Sequence, residues 1–157
     1  TIVPTIDERW ETFQSLFGRV PVFVVNGRVP ELSEMGRRGQ ADVESGIVGT
    51  VLTGSAGSGG TATGRARVVL DAADPVGLEP GDILVAPQTD PSWVPLIVPA
   101  DGVIVNVGAM GSHAMIVSRE LGVPCVVSVA DATEIIPDGA TVTIDGNAGT
   151  VTIDALP

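Results

Sequence analysis

Gly108-Ala109-Met110-Gly111-Ser112-His113-Ala114-Met115-Ile116-Val117-Ser118-Arg119-Glu120-Leu121-Gly122-Val123-Pro124-Cys125 is the stretch around which the chain is organised. It holds the only histidine of the 157 residues, so any imidazole chemistry runs through His113. Val103 to Val107, just before it, is a β-branched run and reads as a strand. Gly108 and Gly111 bracket a loop that needs unusual backbone angles or a close approach. Ser112 is a good N-cap, and Ala114 to Leu121 run on without a breaker. Gly122 and Pro124 stop the helix. His113 therefore falls at the first helical position of a strand-loop-helix unit.

The first turn of a helix has free N–H groups and a partial positive charge, so it welcomes a phosphate. A neutral imidazole with a free lone pair at such a place suits a histidine that takes up a phosphoryl group. From spacing alone, a helix-terminal histidine with no chemical task fits equally well. Arg119 lies six positions on, about 240° around the helix. It faces away from His113 and reads as a tie to a neighbouring strand or turn. Glu120 returns to the His113 side.

Downstream, Pro124 to Val129 reads as a strand, and Cys125 inside it as a buried small hydrophobe. Asp131-Ala132-Thr133 starts a short turn or helix. Thr141 to Ile144 and Thr150 to Ile153 alternate as a hairpin with a bulged turn, with Asp145 as a turn residue. Upstream, Glu79-Pro80-Gly81-Asp82 is a turn and Ile83 to Ala86 a strand. Asp90 caps a helix starting at Pro91, with Trp93 and Leu96 packing beneath it.

The glycine-rich segment 54–64 contains Gly57-x-Gly59-x-x-Ala62, yet it is no dinucleotide fingerprint. No strong strand leads into it and no helix follows; Thr61 to Leu70 alternates like a strand instead. Its glycines let strands cross closely. At the N-terminus, Thr5-Ile6-Asp7-Glu8 reads as a capping box. Ile6, Trp10, Phe13, Leu16 and Phe17 then share one helical face, which packs on its own domain in preference to docking on a partner, and Gly18 ends the helix. Val20 to Val25 reads as a strand, Asn26-Gly27 as a turn, and Ser33 as the cap of a poor short helix. Residues 1–46 form an extension or the tail of a preceding domain, and 47–157 the main domain.

The net charge is −11, from 8 basic and 19 acidic residues, and every basic residue is an arginine. So acidic a chain is a poor partner for nucleic acid or an anionic membrane. The lack of lysine removes Schiff-base chemistry and the P-loop. Any nucleotide must therefore sit on another domain or subunit. One cysteine makes no internal disulfide, and no apolar run reaches the length of a membrane span, which points to the cytoplasm. One histidine and one cysteine make neither a hydrolase triad nor a metal site.

Gly111 to Val127 resembles the signature of the phosphohistidine swivelling, or mobile, domain of the phosphoenolpyruvate-utilising enzymes. Phosphoenolpyruvate synthase, pyruvate phosphate dikinase, rifamycin phosphotransferase and enzyme I of the sugar phosphotransferase system belong to that family. Thr89-Asp90-Pro91-Ser92-Trp93-Val94-Pro95 resembles the second motif of its synthase and rifamycin phosphotransferase branch, and the glycine-rich segment is similar to its entry strand. The likeness covers about residues 48 to 155. It implies an α/β fold: the β/β/α swivelling domain, with a compact β-core, an exposed His113 on a helix, and an N-terminal helix-strand extension.

The resemblance also implies roles. His113 is the phosphorylated residue (tele-phosphohistidine), and the Thr89 hydroxyl bonds the ring nitrogen that is not phosphorylated. The N–H groups of Ala114 and Met115, the Gly111 loop and Ser112 Oγ stabilise the transferring charge, with Asp90 and Arg119 as further possible contacts. No cofactor or metal binds this chain; ATP and Mg lie on a partner domain. The partners are an ATP-binding domain and an acceptor-binding domain or subunit. ATP or phosphoenolpyruvate is the donor, and pyruvate or a hydroxyl compound the acceptor, so the chain is part of a phosphotransferase, inactive alone. A free-standing phosphocarrier subunit of the phenol-phosphorylating type and a non-catalytic swivelling module are the rival readings. Some dikinases carry a regulatory Thr two residues before the His; here that position is Gly111, so that regulation is not expected.

Overall fold

In the computed structural model, the structure describes residues 2–17, 19–20, 31, 33, 35–37, 46–73 and 77–157. The chain divides into two units, Thr1–Asp42 and Val43–Pro157.

In the first unit, helix α1 spans Ile2–Phe17. It begins four residues earlier than a capping box at Thr5 requires, so Thr5 lies inside the helix and does not cap it. The reason is Pro4. Proline is tolerated in a first turn, where its missing N–H has no intrahelical acceptor to lose. Trp10 and Phe13 stack at 5.6 Å, and Ile6, Trp10, Phe13 and Leu16 are all exposed in this unit. Two short strands, β1 (Arg19–Val20) and β2 (Gly36–Arg37), pair antiparallel. The expected strand continuation to Val25, the Asn26-Gly27 turn and the Gly18 stop lie outside the described residues.

The second unit is built on one eight-stranded sheet. Its strands are β3 (Val51–Thr53), β4 (Ser55–Ser58), β5 (Thr61–Val68), β6 (Asp82–Ala86), β7 (Gly102–Val105), β8 (Cys125–Val127), β9 (Thr141–Asp145) and β10 (Thr150–Ala155). The helices are α2 (Val94–Ile97), reached through a 3-10 turn Pro91–Trp93, then α3 (His113–Leu121) and α4 (Ala132–Ile135). The sheet runs β3-β10-β9-β5-β6-β7-β8-β4. Strands β5 to β8 are parallel neighbours, and the remaining pairs are antiparallel.

The two ends of that order, β3 and β4, are joined by one residue, Gly54. A single extended segment thus pairs with β10 through its first half and with β8 through its second, so the sheet curls until its edges share a strand. Gly54 permits this. Its N–H bonds Gly149 O at 2.8 Å, and a Cβ on it would meet Val127 O at 2.5 Å. Only the three-residue β3 leads into the glycine-rich segment. It is β5 rather than a helix that follows.

Burial explains the composition of each strand. Along β6, Ile83 and Val85 face one core cluster while Leu84 and Ala86 face the other; β7 and β8 alternate in the same way. Both faces of these parallel strands are covered, which is why they read as unbroken apolar runs. β9 and β10 alternate buried and half-buried positions instead. Their hairpin is closed by four residues, with Gly149 left-handed (φ 72); the register shift lies between Ile153 and Ala155, not at the turn as expected. Asp145 does hold that turn, accepting from the N–H groups of Asn147 and Ala148 at 2.9 Å. Cys125 is fully buried, and burial pushes its thiol up to about 11, offset in part by the Ser118 hydroxyl and the Arg119 charge.

Candidate functional site

Parallel strands all end at the same side of a sheet, and here the loops after β6, β7 and β8 (87–90, 106–112 and 128–131) leave from that side. Ligands of α/β sheets bind at such carboxyl ends. The strands are shorter than expected: β7 ends at Val105, two residues before Val107, and β8 at Val127, two before Val129. The residues released in this way build the loops.

The β7–α3 loop starts with Asn106, whose N–H bonds Ala86 O at 3.1 Å, and Val107, whose N–H bonds Pro87 O at 3.0 Å. Gly108 presses onto β8, since a Cβ there would lie 2.8 Å from Val127 Cβ. Gly111 is left-handed, with φ 89. Ser112 then takes the extended backbone of an N-cap (φ −64, ψ 156), but its side chain makes no capping bond. Its Oγ is buried with no partner among the described residues. It is turned toward Gly108, where a Cβ would sit 3.3 Å from it. The expectation of a capping Ser112 hydroxyl is corrected accordingly.

His113 opens α3 and is half-buried, not exposed as expected. The inner face of α3 (Ala114, Met115 and Ser118) is packed into the core, and Gly122 closes the helix in the left-handed conformation. Ile116 is the first residue whose N–H bonds back, to Ser112 O at 3.0 Å. The N–H groups of Ala114 and Met115 therefore have no acceptor among the described residues, as the start of a helix dictates.

Thr89 arrives from the β6 loop. Its Oγ1 lies 3.0 Å from His113 Nδ1, while Nε2 has no hydrogen-bond partner among the described residues. The structure thus brings together Thr89, His113 and the free N–H groups of Ala114 and Met115. Asp90 stands next to Thr89 and caps the 3-10 turn: its Oδ1 accepts from Ser92 N at 2.8 Å and Ser92 Oγ at 2.6 Å. Those bonds, with a smaller contribution from the His113 charge, hold the Asp90 carboxyl below its usual range. Arg119 points elsewhere. Its Nε donates to Gly57 O at 2.6 Å, tying α3 to β4.

The sequence reading passed over two residues that shape this end of the sheet. Asn106 clasps α4: its Oδ1 accepts from Thr133 N at 3.1 Å, and its Nδ2 donates to Thr133 Oγ1 at 2.7 Å. Ser128, just past β8, donates from Oγ to Gly108 O. The available signal was faint: one polar residue breaking each of two valine-rich runs. No group of three His, Cys, Asp or Glu among the described residues is placed to hold a metal ion. No helix there is long and apolar enough to cross a membrane.

Residues 78–149 match the family described as PEP-utilising enzyme, mobile domain. A rifampicin phosphotransferase from Streptomyces sp is 41% identical over 144 residues, covering 92% of this chain and 16% of the relative. A phosphoenolpyruvate synthase from Aeropyrum pernix is 44% identical over 107 residues, covering 68% of this chain and 13% of the relative. The chain therefore spans well under a fifth of these curated relatives. Among solved structures, Thermococcus kodakaraensis aconitase X aligns with a TM-score of 0.53 and 23% identity, over 67% of this chain and 98% of that chain. At that identity the likeness concerns the fold alone.

Proposed function

The chain belongs to the mobile-domain family of the phosphoenolpyruvate-utilising enzymes, and on that footing we propose that it is a phosphoryl carrier acting through His113. The observation that carries this reading is the Thr89 Oγ1 to His113 Nδ1 distance of 3.0 Å, with Nε2 left unpartnered at the start of α3. With the ring proton on Nδ1, that N–H donates to Thr89 Oγ1, and Nε2 keeps its lone pair. Nε2 attacks phosphorus; the P–N bond forms while a P–O bond of the donor breaks, and the leaving oxygen keeps the electron pair. Charge spreads over the transferring oxygens in the transition state. The Ala114 and Met115 N–H groups and the turn at Gly111 stand ready to stabilise it without reorganising. The second half-reaction reverses the step toward an acceptor oxygen and restores free His113.

The donor is ATP, with Mg, or phosphoenolpyruvate, held on another domain or subunit. The acceptor, a carbonyl-derived enolate such as that of pyruvate or a hydroxyl compound, is held on a further one. Two features support placing both elsewhere: the chain has no lysine to grip a triphosphate, and it spans a small part of its relatives. Residues 1–46 serve as an extension or the tail of a preceding domain, and 47–157 as the carrier. The test is transfer of label from ATP or phosphoenolpyruvate, in the presence of the ATP-binding and acceptor-binding parts. Acid-labile, base-stable label that is lost in His113→Ala is the expected result. Label that persists in His113→Ala contradicts the reading.

A further inference from the structure

Ser128 has no task in the transfer described above, yet its backbone is unusual. It follows β8 directly with φ 58, a left-handed conformation in a residue that is not glycine. Such a conformation is strained and persists where the surroundings over-determine it. Asp131, three residues on, is left-handed as well (φ 52), so the segment 128–131 is wound tightly on the end of β8. From this turn the Ser128 hydroxyl donates to Gly108 O. Gly108 is already seated against Val127 of β8. The loop is thus clamped to β8 at one point, and Val107 N–H clamps it to Pro87 O at another. Pro87 leads to Thr89, and Gly108 leads to His113. The two groups that meet at 3.0 Å are therefore carried on segments fixed to each other, and Ser128 is the side chain that fixes one of them to β8.

We propose that Ser128 is a positioning residue: by holding the Gly108 carbonyl it sets the course of the 108–112 loop and so the orientation of the His113 imidazole against Thr89. The consequence for rate rests on the carrier reading of His113; the consequence for the imidazole itself does not.

The experiment uses the 157-residue chain and exploits its single histidine, whose ring nitrogens give one unambiguous set of 15N signals. Ser128→Gly keeps the left-handed backbone accessible but removes the hydroxyl. Ser128→Asn also tolerates that conformation and supplies an amide donor. Phosphoramidate serves as the phosphoryl donor, so no partner domain is required: its P–N bond breaks, ammonia leaves with a proton, and the P–Nε2 bond forms. The expected result is one dominant tautomer in the wild type, averaged tautomers in Ser128→Gly, phosphorylation slowed roughly tenfold, and recovery of both in Ser128→Asn. Imidazole signals unchanged in a folded Ser128→Gly overturn the proposal whatever the rate. If Ser128→Gly does not fold, Ser128→Ala is read in its place by the same signals and the same criterion. Signals that respond to Ser128 in a chain that takes no phosphate uphold the positioning role and sink the carrier reading.

Discussion

Thr89, on the loop after β6, and His113, the first residue of α3, are 24 residues apart, and the contact between them occupies Nδ1 and leaves Nε2 unpartnered among the described residues. Removing the hydroxyl while keeping the shape isolates its effect. Thr89→Val is expected to fold normally and to take phosphate from phosphoramidate at least tenfold more slowly, by the usual worth of an oriented base. Thr89→Ser should regain most of the rate. An equal rate in Thr89→Val, followed by 31P spectroscopy, shows that Nδ1 needs no partner. At this scale the sequence was most legible where a residue type is rare. A single histidine beside a helix start leaves few options. Ser128 and Asn106 escaped notice because serine and asparagine at strand ends are common, and their partners, Gly108 O and Thr133, are 20 and 27 residues away. Ser112 misled for a related reason. Capping preference is a property of the position, whereas the hydroxyl's actual direction is set by how closely Gly108 passes.

Two glycines separate the two physical reasons for having glycine in an element. Gly54 has an ordinary backbone but no room, with Val127 O at 2.5 Å from a built Cβ. Gly49 has open space but φ 87. Gly54→Ala should therefore destabilise the chain by about 3 kcal/mol through overpacking, and Gly49→Ala by about 1 kcal/mol through backbone strain. Urea unfolding of both variants checks the order; a larger loss in Gly49→Ala means the strand crossing at Gly54 is looser than the geometry requires. Gly108→Ala, with 2.8 Å to Val127 Cβ, should cost about 1 to 3 kcal/mol and displace the loop that ends in His113. Element types were well signalled by period and β-branching. Their ends were not. β7 and β8 each stop two residues short of the apolar run: Val107 N–H bonds Pro87 O in the next loop and Ser128 turns left-handed, although Asn106 N–H still reaches Ala86 O of β6 and Val129 N–H still reaches Val105 O of β7. The start of α1 was missed because the capping motif at Thr5 looked complete.

Across the main unit, Arg65 grips Asp82 with two bonds, at 2.9 and 3.0 Å, and reaches Glu79 at 3.1 Å. Asp82 also accepts from Glu79 N at 2.9 Å, and its side chain is nearly buried. The Arg65 hydrogen bond outweighs desolvation and holds the Asp82 carboxyl below its usual range. A carboxyl lowered on folding stabilises the folded state at pH values above its unfolded pKa of about 3.9. That contribution is lost as pH falls through the lower folded value. Asp82→Asn should therefore cost about 2 kcal/mol at pH 6, and the gap to the wild type should narrow below pH 4. A gap of constant size down to pH 3, read from urea midpoints, removes the ion pair from the explanation. Strand order at this scale was not legible. Nothing local states that β3 and β4 lie at opposite ends of the sheet order, since that follows from β8 and β10 approaching Gly54 from distant parts of the chain. The α/β class and the helix bearing His113 were legible, because buried parallel strands and a capped amphipathic helix leave patterns in the residues themselves.

The central claim is that Nε2 of His113 bears the phosphoryl group while Thr89 occupies Nδ1. The most direct measurement is 31P–15N coupling in ring-15N-labelled chain after reaction with phosphoramidate. Coupling to Nε2 alone, absent in His113→Ala, is the predicted result. Coupling to Nδ1, or a phosphoryl signal that survives His113→Ala, contradicts the account.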